Sequence, residues 1–426
     1  MIAANIGKIF LDAYNEKYKS NYSAKQFFVE KYFELFFNHE KYMQWVTNSP
    51  FVQGIKKGIT PTLQERKIKL ETLVDKISKN EADASIAIGF PSLDLIASTS
   101  GQITSMKLPL NEKDVYLSWI GSGFGVGVQS GLSLLFADKR ILLDLFEGWQ
   151  LYRDYLNKTP ELRGNQINTW NGQWIAHRYD KRLFNPANPT ASFNGFNPMK
   201  DGGMEVVTQS WTKVMIGIAR TYPDTNLTAY IYSLGQTNIT VGFIPFELPR
   251  IRQPYDLYEK YFNVKPELAE QLFGTELGFT KACQMGAIGV NALEPKGFKD
   301  SLSKGVIPKY NPNDEDKKIN FNTYQIWLLS MLNNEELWEQ SLQIAKSLND
   351  YSLSDKNAKK AKSQEVTNLL ASVNKKQFIE GLTFIVKGSD NSELLTSIAE
   401  LIHTMPVDNV PYFLTLIRFQ YAVVNK

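Results

Sequence analysis

The segment between Phe27 and Phe37 constrains the fold more than any other part of the chain. Apolar residues recur in it at i, i+4, i+5, i+8 and i+9, and the charged residues Glu30, Lys31 and Glu34 fall between them. This spacing predicts a helix with a wide apolar face. We expect that face to be buried in the core, with a protein-binding surface as the alternative.

Capping signals define two helices in the first 80 residues. Ser23 is followed three residues later by Gln26, which is the pattern of a capping box. A second amphipathic helix is predicted from Thr62 to Lys79, and Pro61 stops it from extending backwards. We therefore expect residues 1–80 to form a helical segment.

The pattern of the sequence changes after residue 80. Residues 81–295 mix strand-like and helix-like stretches with Asn/Gly-rich loops, and residues 296–320 have the Gly, Ser, Pro and mixed charges of a linker. Residues 321–426 are predicted to be helical. The predicted fold class is α+β, in which a mixed α/β N-terminal body with long loops is followed by a C-terminal helical bundle. Residues 1–80 would pack on that body.

Regular elements of the body can be predicted in outline. Alternation of apolar residues predicts strands at four places: 84–90, 115–120, 227–232 and 239–246. The last two are expected to form a hairpin, and Pro245 favours an edge strand or a strand end. A long helix is expected over residues 132–156, with a break near Gly148.

Composition limits the chemistry that is available. The 426 residues predict two or three domains, and 43% hydrophobic with 21% charged residues excludes a disordered or collagen-like chain. The net charge of +3 does not by itself indicate a partner. One cysteine, Cys283, and three histidines exclude a disulfide framework and a multi-cysteine metal site. We therefore predict no metal and no cofactor.

The distribution of apolar residues bears on location. The sequence has no run of about 18 apolar residues and no signal-peptide pattern at its start. The most apolar stretch, residues 126–146, is interrupted by charged residues. Together with the free thiol, this favours a reducing compartment, and we predict a cytoplasmic protein without membrane contact.

Gly121, Gly123 and Gly125 form the most conspicuous motif of the body. Their spacing is not G-x-G-x-x-G, and the segment lacks the G-K-[ST] ending of a phosphate-binding loop. The pattern favours a packing turn between a strand and a helix. Contact of the glycine backbone with a nucleic-acid phosphate, or with a nucleotide, remains the alternative.

Catalytic motifs are weak. Pro223-Asp224 is not closely followed by the acid-x-lysine of a metal nuclease. An enzyme would require acidic residues such as Asp83, Asp94 or Asp144 to converge with a lysine near the glycine turn. His177 has Asp180 nearby in sequence, but a locally hydrogen-bonded loop histidine is favoured over a general base. We predict no catalytic residue.

Residues 164–213 carry the strongest functional signal, because amide side chains alternate with Trp170, Trp174 and cationic residues. Amides can contact base edges, cations neutralise phosphates, and aromatic rings stack on unpaired bases. The predicted nucleic-acid-binding residues are Asn168, Asn171, Gln173, Arg178, Lys181, Arg182 and Lys200, with Lys359 and Lys360 from the basic run 356–362. The alternatives are a loop whose amides bond its own backbone and a solvated basic face.

The helical tail contains three apolar segments, 378–385, 394–402 and 413–421, and the body contains the segment 235–243. This order of an aromatic helical start, a mixed body and a helical tail resembles the large subunit of type I CRISPR effector complexes (Cascade). The resemblance implies a non-catalytic subunit that holds the 5′ end of a guide RNA, contacts a short flanking DNA motif and lies along the displaced strand. It transfers no residue role, and this chain lacks the cysteines of the zinc element found in some members.

The predicted function is therefore nucleic-acid binding within an RNA-guided antiviral ribonucleoprotein. The implied partners are guide RNA, target DNA and other protein subunits. Two alternatives stay open: a defence-related nuclease or nucleotide-dependent enzyme, and a scaffold that binds only protein through its aromatic N-terminal helix.

Overall fold

The computed structural model describes residues 2–44, 51, 55, 59–81, 111–233, 239–263, 278–386 and 392–425. The chain divides into two compact units. Unit 1 comprises Met1–Leu248 and Phe279–Ile288, and unit 2 comprises Pro249–Gly278 and Gly289–Lys426. The fold class is α+β with a helical C-terminal region, as predicted.

Unit 1 begins with helices and then alternates helices with short strands. Its first elements are α1 (Ile2–Tyr18), α2 (Ala24–Phe27), a π-helical turn (Phe28–Tyr32), α3 (Phe33–Phe36), α4 (Leu63–Ser78) and α5 (Glu112–Ser122). They are followed by β1 (Val126–Val128), β2 (Leu132–Phe136), α6 (Lys139–Lys158), α7 (Ile167–Arg178), β3 (Phe196–Pro198), β4 (Met204–Val206), α8 (Trp211–Thr221), β5 (Leu227–Ser233) and β6 (Ile239–Phe246).

Both predicted helix starts are confirmed by their caps. The Ser23 hydroxyl accepts from the Gln26 amide at 3.2 Å, and the Gln26 side chain accepts from the Ser23 amide at 3.0 Å. Thr62 and Glu65 form the same reciprocal pair at the start of α4. Each box satisfies two backbone donors that a helix start otherwise leaves unpaired.

The strands form a four-stranded antiparallel sheet in the order β1-β2-β5-β6, and β3 pairs with β4 separately. The predicted hairpin strands 227–232 and 239–246 are confirmed, with Ala229 opposite Ile244. Pro245 lies in β6, the last strand of the sheet, where a missing backbone donor is tolerated. The predicted strand 84–90 lies outside the described residues.

Two predicted elements of unit 1 are wrong. Residues 115–120 lie in α5, because Asn111 caps that helix and residues 115–122 are buried on every side, which removes the helical period from the pattern. The predicted helix 132–156 is divided, because its first five residues form β2 and α6 begins after Asp138, whose carboxylate caps it. The helix then continues through Gly148.

The aromatic segment 27–37 is core, as expected. Phe36 packs edge-on against Trp149 with ring centroids 4.8 Å apart, and Tyr32 stacks on Phe36 at 4.1 Å. Phe10 of α1 meets Phe27 at 5.4 Å. These rings are almost fully buried, so the segment stabilises unit 1 by burying a large apolar area.

The chain continues through α9 (Leu248–Phe262) and α10 (Phe279–Gln284), the latter within unit 1. Unit 2 then contains a 3-10 turn (Val290–Leu293), α11 (Lys299–Lys304), α12 (Glu315–Leu332), α13 (Glu336–Leu353), α14 (Lys359–Leu370), α15 (Lys375–Val386), α16 (Ser392–Thr404), a second 3-10 turn (Val407–Asn409) and α17 (Val410–Val424). Helix α17 packs on α12 and α13, and successive helices from α13 to α16 pack on one another.

The structure does not divide the chain at the predicted linker, residues 296–320. Both α11 and the first turn of α12 fall within it, and the whole segment belongs to unit 2. Phe298 explains the difference, because it is buried and packs against Trp327 with centroids 5.3 Å apart. One large apolar anchor therefore holds a segment that its Gly, Ser and Pro content made look like a connection.

Candidate nucleic-acid interface

The three glycines of the turn are buried and packed against other backbone and side chains. An alanine Cβ at Gly121 would lie 1.9 Å from the Ala3 carbonyl oxygen, and one at Gly125 would lie 2.1 Å from the Tyr232 hydroxyl. At Gly123 it would meet the rings of Phe36 and Trp149 at 2.9 Å. The predicted phosphate contact is therefore not supported. The segment is a packing turn, which runs from a helix into a strand.

Asn171 holds this turn in place. Its side chain is fully buried, and its Nδ2 donates to the carbonyl oxygens of Gly123 at 2.8 Å and Gly125 at 2.9 Å. Its Oδ1 accepts from Trp149 Nε1 at 3.1 Å. Three of the side chain's hydrogen-bonding positions are thus used inside unit 1, so the predicted role of Asn171 at base edges is wrong.

The neighbouring amides and indoles are also directed inward. Asn168 Nδ2 donates to the Ser133 hydroxyl at 3.0 Å, and buried Gln173 accepts from Gln209. Trp170 and Trp174 are buried in α7 and stack on each other with centroids 6.3 Å apart. The alternative interpretation, in which the amides of this segment bond within the protein, holds for these residues. They are not placed to contact bases.

Arg178 is neutralised within unit 1. Its Nη2 lies 2.6 Å from Asp144 Oδ1, and its Nη1 lies 3.1 Å from Glu147 Oε2. Asp144 Oδ2 also accepts from the hydroxyls of Tyr179 at 2.7 Å and Tyr222 at 3.2 Å. Burial, with the Asp144 charge acting in the same direction, raises the pKa of Tyr222 to about 12, so this phenol stays a donor. The cluster joins α6, α7 and the end of α8.

The other two acidic residues of the enzyme hypothesis, Asp83 and Asp94, lie outside the described residues. Within the parts of the chain that the structure describes, no group of three or more His, Cys, Asp or Glu side chains is placed to hold a metal ion. His177 is buried and its Nε2 lies 2.9 Å from the Pro189 carbonyl oxygen. Burial lowers the pKa of this imidazole. The histidine thus has the local hydrogen bond that the sequence favoured.

Arg182 is also paired, although its side chain is half exposed. Its Nε and Nη2 contact the two carboxylate oxygens of Asp180 at 3.1 and 2.9 Å. Burial opposes ionisation of Asp180, but the Arg182 guanidinium and amide outweigh it and hold the pKa of Asp180 below its usual range. A bidentate pair of this kind reduces the charge that Arg182 can offer to a phosphate.

The remaining predicted cations are four lysines whose charge no carboxylate of the described residues neutralises. Lys181 and Lys200 of unit 1 are exposed, and so are Lys359 and Lys360 of unit 2. Among the described residues, none of the four belongs to an ion pair. Lys359 and Lys360 begin α14, where no side chain caps the helix and no acidic residue occupies the first turn. Two cations at the positive end of a helix dipole favour a bound anion.

Comparison with protein-family models, with curated proteins and with solved structures gave no match to this chain. Across the described ranges, no helix combines the length and the apolar character that a bilayer crossing requires.

Proposed function

We propose that this chain is a non-catalytic nucleic-acid-binding subunit of an RNA-guided, CRISPR-type ribonucleoprotein. The observation that carries the proposal is the unneutralised charge of Lys181, Lys200, Lys359 and Lys360, which are exposed and lack ion pairs among the described residues. The proposed partners are guide RNA, target DNA and other protein subunits of a cytoplasmic complex.

The contact expected from these side chains is with phosphates rather than bases. Lysine is a flexible point charge that neutralises phosphate oxygens and releases counterions. Phosphate contacts fix the position of a strand but carry no sequence information. Because both indoles of α7 and the amides of Asn171 and Gln173 are buried, the proposal leaves base recognition to pairing with the guide.

The order of the two units along the chain supports membership of a larger complex. A mixed α+β unit comes first and a helical unit follows, which is the order on which the resemblance to Cascade large subunits rests. Exposed cations occur in both units, so a bound strand could be held by each of them separately. The proposal requires no bond-breaking step in this chain.

Removing the four lysines tests the proposal. We expect the variant K181A/K200A/K359A/K360A to bind a single-stranded oligonucleotide about tenfold or more weakly than the wild type, because each lost cation removes a phosphate contact. Fluorescence anisotropy of a labelled strand at low salt measures the change.

A matched control removes the same charge from lysines that are already paired. Lys79, Lys158, Lys260 and Lys317 are exposed, and each forms an ion pair with a nearby carboxylate. Their fourfold alanine variant should bind nearly as the wild type does. Equal weakening in both variants would show only an effect of net charge. Cleavage of plasmid DNA by the purified chain with Mg²⁺ would instead support the nuclease alternative.

A further inference from the structure

A cleft of about 610 Å³ lies among the described residues of unit 1. It is lined by one face of α1, by the loop that precedes α2 together with the start of that helix, and by the first two turns of α5. Its volume falls in the range of small-molecule sites, roughly 300–1,000 Å³. None of the four lysines of the proposed interface lines the cleft, so it is a separate feature of the unit.

The buried residues that line the cleft, which we call its floor, are Leu11, Ala24, Tyr116 and Leu117. Tyr116 is 1% exposed, and its hydroxyl is buried and makes no hydrogen bond. Burial, with the charge of Glu112 acting in the same direction, raises the pKa of this phenol to about 12, so it stays a donor near neutral pH. A buried donor without an acceptor is costly, and a ligand oxygen or nitrogen within reach would relieve that cost.

One wall of the cleft is fixed by Asn15 of α1. Its Oδ1 accepts from the Tyr22 amide and from the Ser20 hydroxyl, both at 2.9 Å, and its Nδ2 donates to the Tyr22 carbonyl oxygen at 3.0 Å. These bonds tie the loop before α2 to α1, and the capping box of Ser23 fixes the start of α2. A wall that is already ordered lowers the entropic cost of binding a ligand.

Five charged side chains line the cleft, and all of them are exposed. Lys25 Nζ lies 3.5 Å from Glu112 Oε1, so these two charges neutralise each other and link α2 to α5. The other three are Lys8 and Asp12 of α1 and Lys113 of α5. Among the described residues, none of these three side chains forms an ion pair or a hydrogen bond. The cleft therefore offers a ligand two cations and one carboxylate above an apolar floor.

We propose that this cleft binds one ribonucleoside monophosphate unit. The phosphate of such a ligand carries about −1.5 to −2 charges near pH 7, which suits the two cations Lys8 and Lys113. The ribose has two adjacent hydroxyl donors, and the Asp12 carboxylate is purely an acceptor. The base has a flat face for the floor and acceptor atoms for the Tyr116 hydroxyl. Inorganic phosphate would use only the cations, and an uncharged apolar ligand would use only the floor.

Calorimetric titration of the full chain with adenosine monophosphate (AMP) tests the proposal. We expect saturable binding to the wild type and at least tenfold weaker binding to K8A/K113A, because two charges that face the phosphate are lost. Lys79 and Lys158 of unit 1 are exposed and do not line the cleft, so K79A/K158A should bind AMP as the wild type does. The K181A/K200A/K359A/K360A variant should also keep AMP binding, which separates this test from that of the proposed function.

A nucleotide that lacks both ribose hydroxyls, 2′,3′-dideoxyadenosine monophosphate, tests the contact with Asp12. The wild type should prefer AMP by about tenfold, whereas D12A should bind the two nucleotides nearly alike. This ratio of affinities separates the hydroxyl contact from the change in net charge. Y116F should weaken AMP binding by about threefold without lowering the stability of the unliganded protein, because the hydroxyl it removes has no partner there.

An oligoribonucleotide with a 5′-phosphate identifies the source of the nucleotide. Displacement of AMP by this strand assigns the cleft to a strand end, and the absence of displacement assigns it to the free nucleotide. The proposal is overturned if AMP shows no saturable binding, if inorganic phosphate binds as tightly as AMP, or if K8A/K113A, D12A and Y116F all bind both nucleotides as the wild type does.

Discussion

Replacing Gly121 with alanine should lower the free energy of unfolding by about 3 kcal/mol or more. The added Cβ would lie 1.9 Å from the Ala3 carbonyl oxygen and 2.9 Å from the Gly7 amide nitrogen. Gly7 shows the reciprocal contact, because a Cβ there would lie 2.0 Å from the Leu117 carbonyl oxygen. Helices α1 and α5 thus touch through their backbones, which cannot yield as the end of a flexible side chain can.

Chemical denaturation followed by circular dichroism measures this change. Gly278 provides the control, because its φ is outside the left-handed region and a Cβ there would meet no heavy atom within 4 Å. Gly278→Ala should therefore be close to neutral. If Gly121→Ala kept wild-type stability but lost nucleic-acid binding, the phosphate-contact interpretation of the glycine turn would be restored.

Asn171→Leu is expected to have a similarly large effect, about 3–5 kcal/mol of lost stability. Leucine has the same branching at Cγ as asparagine but is bulkier, so the change replaces the hydrogen-bonding atoms by methyl groups and creates no cavity. It leaves the Gly123 and Gly125 carbonyl oxygens and the Trp149 Nε1 buried without the partner they now share. Each such group has a desolvation cost that water cannot relieve inside the core.

The same denaturation experiment tests Asn171→Leu, with nucleic-acid binding measured on the folded fraction. Asn197 on β3 is exposed, and Asn197→Leu should change stability by only about 0.5 kcal/mol or less. A stable Asn171→Leu protein with weakened binding would contradict the structural role given to this amide and would return it to the interface.

Parts of the fold with a clear local signal could be predicted from the sequence. The capping pair Ser23 and Gln26 and the hairpin strands are set by neighbouring residues, and both predictions are confirmed. The sequence pattern wrongly predicts a strand in helix α5 because all residues from Val115 to Ser122 are buried, so no alternation of polar and apolar faces marks the helical period. Long-range packing against α1 decides that element.

At the candidate site, too, the sequence does not reveal contacts between residues that are far apart in the chain. Composition identifies amides that can contact bases, but it does not tell whether their partners come from a ligand or from the protein, and Asn171 finds its partners in the distant glycine turn. The predicted residues also omit Arg153, which is buried and donates to the Leu35 and Lys41 carbonyl oxygens, although the sequence contains a signal for it. It lies on the apolar stripe of α6 between Trp149 and Leu156, where a charged residue requires a specific partner.

The salt dependence of nucleic-acid binding tests the central claim most directly. Affinity for a single-stranded oligonucleotide is measured over a salt series for the wild type and for the K181A/K200A/K359A/K360A variant. If the four lysines contact phosphates, the slope of log affinity against log salt should be smaller in magnitude by roughly 3 in the variant. Equal slopes and equal affinities for the two proteins would contradict the account.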